Sequence, residues 1–163
     1  MKILGVDPGL NTTGYGIIKT NKQHLDFITA GTITTKTSQP FPERLEILYT
    51  NMSDIIEEHS PDIFAIEETF VNINARSSLM LGHARGVLIL SAQILELPIY
   101  EYATRLIKKS ITGNGAASKK QVKYMVEHLL NTKSIPKSLD ISDALATAIT
   151  FFNQHKFKQL MNQ

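Results

Sequence analysis

Along the first 34 residues, apolar and polar positions follow a two-residue rhythm broken by turn residues. Ile3, Leu4 and Val6 form a short buried run that ends on Asp7 and a Pro8-Gly9 turn, and a second strand follows through Tyr15 to Ile18. Residues 24–34 alternate well enough to make a third, antiparallel strand, with Gly31 as a bulge or a point of close approach. Residues 35–42, with Pro40 and Pro42, read as a loop. The spacing then changes: Leu45, Leu48, Tyr49, Met52, Ile55 and Ile56 recur at helical intervals until Pro61 stops the run.

A second buried strand, residues 62–66, resembles the first in design, because it also runs into acid, here Glu67 and Glu68. Successive strand residues point to opposite faces, so Glu67 is the better partner for Asp7, with Glu68 held in reserve. Residues 69–78 read as an irregular loop, and a long helix is expected over about 77–95. Its Gly82 and Gly86 permit close approach, which favours packing inside the same chain over a dimer contact, and His83 and Arg85 read as surface or capping residues. Residues 98–102 give a fifth strand, residues 104–111 a short basic helix, and Ser118 caps a helix carrying Val122, Met125, Val126 and Leu129. After Pro136 a final helix begins near Leu139 and runs through Phe152. The pattern is that of a mixed α/β sheet in one domain over residues 1–157, with a frayed polar tail over 158–163.

Composition narrows the class. With 163 residues, 42% of them hydrophobic, the chain supports one sizeable core rather than two. No run of eighteen apolar residues and no charged-then-apolar leader is present, so neither membrane insertion nor secretion is expected, and the cytoplasm is the default. Without cysteine, any metal must be held by oxygen or imidazole. The formal charge is only +2, yet Arg105, Lys108, Lys109, Lys119, Lys120 and Lys123 crowd one stretch, either as a solvated surface or as a phosphate-binding face. Gly113-Asn114-Gly115 inside it lacks the rest of a nucleotide fingerprint and reads as a flexible turn that lets the backbone approach a bound phosphate chain.

The acids decide between these readings. Asp140 and Asp143 stand three apart at the start of the last helix, where a helix dipole favours carboxylates. Alone, each acid has an ordinary explanation as a turn or cap residue. Together, Asp7, Glu67, Asp140 and Asp143 can gather at one end of the sheet, and four such groups repel unless protonated or bridged by cations. Hard oxygen donors select magnesium, or manganese in its place, over zinc, and two ions per subunit fit the set best, as in two-metal phosphodiester hydrolysis.

The segments ILGVDPGLNTTGYG, FAIEETF, LGHARG, EYATRLIKKSITGNGAASKKQV and DISDALATAIT, in that order, resemble the RuvC family of bacterial Holliday-junction resolvases, within the RNase H-like nucleases. The resemblance spans nearly the whole chain. It implies an RNase H-like five-stranded mixed sheet flanked by helices on both faces, and a homodimer that nicks a four-way DNA junction symmetrically. It further implies that Asp7, Glu67, Asp140 and Asp143 are the catalytic, metal-binding acids and that Lys108 and Lys119 contact DNA near the scissile phosphate. Lys109 and Lys120 are then surface contacts. Phe70 matches an aromatic that stacks on an unpaired base at the junction centre. Ile73 stands where the family more often has a basic residue, and Arg76 nearby is a candidate DNA contact in compensation. Branch-migration partners RuvA and RuvB, and cutting near paired thymines, are further implications.

Three alternatives compete. An actin-like or sugar-kinase ATPase shares the opening hairpin but needs two such domains. An RNA-processing nuclease of the same fold keeps the acids. A non-catalytic junction-binding protein needs neither metal nor the full acid set.

Overall fold

A computed structural model describes residues 1–21, 24–68, 74–132 and 135–161, with side chains through residue 155. Three strands come first: β1 (Lys2–Asp7), β2 (Thr12–Asn21) and β3 (His24–Thr34). Helix α1 (Phe41–His59), β4 (Ile63–Glu67), α2 (Ala75–Ile94) and β5 (Ile99–Tyr102) follow, then α3 (Thr104–Thr112), α4 (Lys119–Leu129) and α5 (Leu139–Met161). The sheet order is β3-β2-β1-β4-β5, antiparallel across the first three strands and parallel from β1 through β4 to β5. The expected RNase H-like arrangement is therefore present.

The two-residue period sorts the strand side chains between two cores. Leu4, Val6, Ile17, Phe64 and Ile66 pack with Leu48, Met52, Leu88 and Ala92 under α1 and α2. Ile3, Ile18, Ile63 and Ala65 point the other way, into a core completed by Ile107 of α3, Val122 and Val126 of α4, and Leu145 and Ile149 of α5. Full burial of each large aliphatic or aromatic side chain contributes about 1.5–3 kcal/mol, so both helical layers are held firmly to the sheet.

Helix α5 approaches the sheet more closely than side chains normally allow. A methyl group on Gly5 would stand 2.1 Å from the carbonyl oxygen of Ala144, and one on Gly14 would stand 2.2 Å from that of Asp140. Glycine at both places lets the helix backbone rest on β1 and β2.

Several local expectations change. Gly31 is the close-approach point, lying against the Tyr15 ring, while the bulge falls at Ile28 of β3, opposite Ile17 and Ile18 of β2. Helix α2 begins at Ala75, two residues before the expected start, because the Asn74 side chain caps it by accepting from the Ser77 N–H at 3.2 Å. Its Gly82 and Gly86 do not serve the core: a methyl on either would meet nothing among the described residues within 4 Å. They floor an open apolar groove with Leu45, Leu79, Val87 and Leu90, in which Leu79 is 63% exposed. The turn after α3 is built rather than slack. Gly113 closes the helix in the left-handed region at φ 77°, and the Asn114 side chain accepts from the Ala116 N–H at 2.9 Å. The backbone of α5 continues as helix to Met161, beyond the expected end of the domain at 157.

Candidate active site

The strand period places the first two acids. Asp7 follows Ile3 and Gly5 on the α5 face of β1, and Glu67 follows Ile63 and Ala65 on the same face of β4. Val6 pairs with Ile66 in the parallel ladder, so the two carboxylates leave adjacent strand ends side by side. Glu68 is the next residue along and belongs to the opposite face, where its charge acts on Arg85 of α2. Opposite Asp7 in the antiparallel ladder is Gly14, against which the first turn of α5 rests. That contact brings the helix acids to the same corner.

Asp7, Glu67 and Asp143 line one small cleft together with Thr104, Ile107 and Lys108 of α3 and Lys119 and Val122 of α4. Asp140, one turn earlier, is outside this lining but close enough for its charge to act on Asp7 and Lys119. Lys119 Nζ donates to Asp143 Oδ2 at 2.6 Å. Thr104 Oγ1 donates to Glu67 Oε1.

The electrostatics follow from this crowding. Burial, then the charges of Glu67 and Asp143, with Asp140 adding to them, push the Asp7 carboxyl from 3.8 to about 8 despite the opposing pull of Lys119. Burial also raises Glu67, and the Thr104 hydrogen bond works against that rise by stabilising the carboxylate. Lys119 is depressed by burial but raised overall, through its hydrogen bond to Asp143 and the charges of Asp143, Asp7 and Asp140. This is a corner short of positive charge. A proton on Asp7 and the ammonium of Lys119 meet the shortage only in part.

A hard divalent cation suits such a set of donors, which offers carboxylate oxygens and no sulfur or imidazole. The acids are not a ready-made cluster, however. Among the described residues no group of three or more His, Cys, Asp or Glu is gathered to metal-binding geometry. Lys119 stands against Asp143, the α5 acid that lines the cleft, and its charge offsets part of the repulsion that raises Asp7.

The comparisons with known proteins bear on this corner. Residues 3–151 match the family described as crossover junction endodeoxyribonuclease RuvC. The chain belongs to the RuvC family. A RuvC of Vibrio vulnificus (strain YJ016) is 46% identical over 154 residues, covering 94% of this chain and 88% of the relative. Thermus thermophilus RuvC superposes with a TM-score of 0.86 at 25% identity, covering 97% of each chain. The same RuvC in complex with Holliday junction substrate gives 0.90 at 25% identity, covering 97% of this chain and 96% of that one.

The other expected positions divide. Lys108 and Lys119 face the cleft, whereas Lys109 and Lys120 are exposed beside it. Phe70 and Ile73 lie outside the described residues. Arg76 is exposed in the first turn of α2 and lines a separate cavity with Leu10 and Asn11. Two supporting residues were missed. Thr104 holds Glu67, and Arg85, expected at the surface or in a cap, is instead a partly buried clasp. Its Nε donates to the Glu67 carbonyl oxygen at 3.2 Å and its guanidinium pairs with Glu101. Arg85 thus ties α2 to the ends of β4 and β5.

Proposed function

We propose that this protein is a magnesium-dependent endonuclease that resolves four-way DNA junctions as a homodimer, each subunit making one of two symmetric nicks. The observation that carries the reading is the cleft in which Asp7, Glu67 and Asp143 stand with Lys108 and Lys119, with Asp140 one turn away. Asp7, Glu67, Asp140 and Asp143 would hold the metal. Two bound magnesium ions, or manganese in their place, supply positive charge that favours deprotonation of water and stabilises the leaving oxygen of a phosphodiester. Lys108 and Lys119 reach the backbone beside the acids, hold the phosphate in line and offset charge that builds on its oxygens. Lys119 gives up Asp143 in doing so. Water attacks phosphorus and the 3′ oxygen leaves, so the nicked ends can be rejoined by a ligase. Phe70 is assigned to stacking on an unpaired base at the junction centre.

The open groove of α2 supports the dimer. Leu79, Leu90 and Ile94 are 63%, 50% and 55% exposed, and glycines 82 and 86 leave room for a second helix. A two-fold contact would place the same groove on both sides of the interface. The branch-migration proteins RuvA and RuvB remain partners in this reading, and the default compartment is the cytoplasm. No helix among the described residues is long and apolar enough to cross a membrane.

The test is cleavage of a labelled four-way junction beside linear duplex and an RNA hybrid, with and without magnesium. Paired nicks confined to the junction and to metal are expected, and Asp7→Asn should abolish cutting while leaving binding. Cutting by that variant at the wild-type rate would sink the assignment, and cutting of the RNA hybrid instead would favour the RNA-processing branch.

A further inference from the structure

On the α1 and α2 side of the sheet rim, away from Lys108 and Lys119, a second set of donors is arranged around a buried arginine. Arg44 of α1 is only 7% exposed and has no carboxylate partner among the described residues. A guanidinium withdrawn from water needs acceptors, and Arg44 finds them in the segments bordering the β1–β2 turn. Its Nε donates to Thr35 Oγ1 at 2.8 Å, and that hydroxyl donates to the Leu10 carbonyl oxygen at 2.6 Å. Its Nη2 donates to Asn11 Oδ1. The Asn11 backbone is held as well, because the Thr35 N–H donates to its carbonyl oxygen at 3.0 Å.

This clasp has a directional result. Arginine carries donors and no acceptor, so the oxygen of the Asn11 amide must face Arg44 and the NH2 group must face away from it. Asn11 is exposed, and that NH2 donates to nothing among the described residues. Asn11 lines a surface cavity of ≈ 320 Å³ with Leu10, Arg76, Ser77, Met80 and Leu81. No acid lines it. Arg76 has no ion pair among the described residues, and the unbalanced charge of Arg44 lies beneath the same turn. The corner therefore offers an oriented amide donor, a free guanidinium and a hydroxyl to an anion, four residues along the chain from Asp7.

We propose that Asn11 and Arg76, with Asn11 aimed by buried Arg44, form a phosphate-binding corner that takes a backbone phosphodiester of the junction across the cleft from Lys108 and Lys119. The proposal rests on the junction-nuclease reading and adds a second anchor to it. With lysines on one flank and this corner on the other, the strand is held on both sides of the scissile bond.

The experiment measures junction binding over a range of salt, with every protein carrying Asp7→Asn so that DNA is not cut. Asn11→Asp is the informative change because it is isosteric. It keeps an oxygen toward Arg44, gains an ion pair there, and turns the outward donor into a charged acceptor. The corner predicts about tenfold or greater loss of junction affinity for Asn11→Asp, from one lost charge-assisted hydrogen bond and added repulsion. It predicts that Arg76→Ala lowers the slope of log affinity against log salt by about one. If Asn11 only braces the loop, Asn11→Asp binds as tightly as its parent and melts no lower. That result, with an unchanged slope for Arg76→Ala, overturns the corner while the parent's junction binding leaves the nuclease reading intact. A parent that fails to prefer the junction over duplex overturns both. Should Asn11→Asp fail to fold, the exposed Arg76 carries the test through the salt slope.

Discussion

Replacing Gly14 with alanine puts a methyl carbon where the carbonyl oxygen of Asp140 leaves 2.2 Å, against an ordinary contact of 3.4 Å or more. Neither side can yield through a side-chain rotation, because the obstacle is helix backbone and the methyl is fixed to a strand. Helix α5 must therefore lift at its first turn by about 1 Å, a displacement that can cost about a hundredfold in rate when it moves catalytic groups. Asp140 and Asp143 ride on that turn, while Asp7 and Glu67 stay with the sheet. Overpacking of this kind costs about 1–3 kcal/mol, and at about 2–4 °C per kcal/mol the melting temperature should fall by about 2–12 °C. The assay is single-turnover cleavage of a synthetic junction at saturating protein, with calorimetric melting of the same preparation. A roughly hundredfold slower cut with junction binding retained is expected. Wild-type cleavage with wild-type melting would refute the argument that glycine sets the height of α5 over the acids.

Three further outcomes are expected. Between 3.8 and about 8, folded metal-free protein holds a proton on Asp7 that the unfolded chain has lost, so its stability should fall as pH rises through that window. If Asp7 holds magnesium as proposed, the ion would replace that proton, so melting curves with and without it should diverge as pH rises, and parallel curves would count against Asp7 as a ligand. Thr104→Val removes the hydroxyl from Glu67 and should raise the magnesium needed for half-maximal cleavage about tenfold or more, with Thr104→Ser restoring it; equal titrations for Val and Thr would remove Thr104 from the site. Leu79→Glu, at a 63% exposed position, should leave melting within about 0.5 kcal/mol yet yield monomers in sedimentation, and a persisting dimer would move the interface elsewhere.

The features legible in the sequence are those set by local periodicity. Asp7 and Glu67 could be read as neighbours because each ends a short apolar run, and the two-residue alternation correctly turned Glu68 away. The pair on α5 was legible from its place in the first helical turn. What was hidden depends on which element lies over which. Gly5 and Gly14 look like ordinary strand glycines until α5 is seen resting on them. Gly82 and Gly86 carry the same signature, yet no described residue covers them, and the expectation of packing within the chain failed there. Arg85 and Thr104 support Glu67 from α2 and α3, and no spacing in the chain announces a partner 18 or 37 residues away. Arg44 was hidden for a further reason, since an arginine within an amphipathic helix is ordinarily a surface residue.

The glycine-floored seat of α5 also sets when this protein can act in the life of a chain. Asp7 lies on the first strand and Asp140 and Asp143 on the last helix, and that helix is the one that rests on β1 and β2. A ribosome-bound fragment that has completed all five strands still lacks half of the acids and the cover for one face of its sheet. In the proposed reading, the set of acids is therefore complete only once α5 has docked on the sheet.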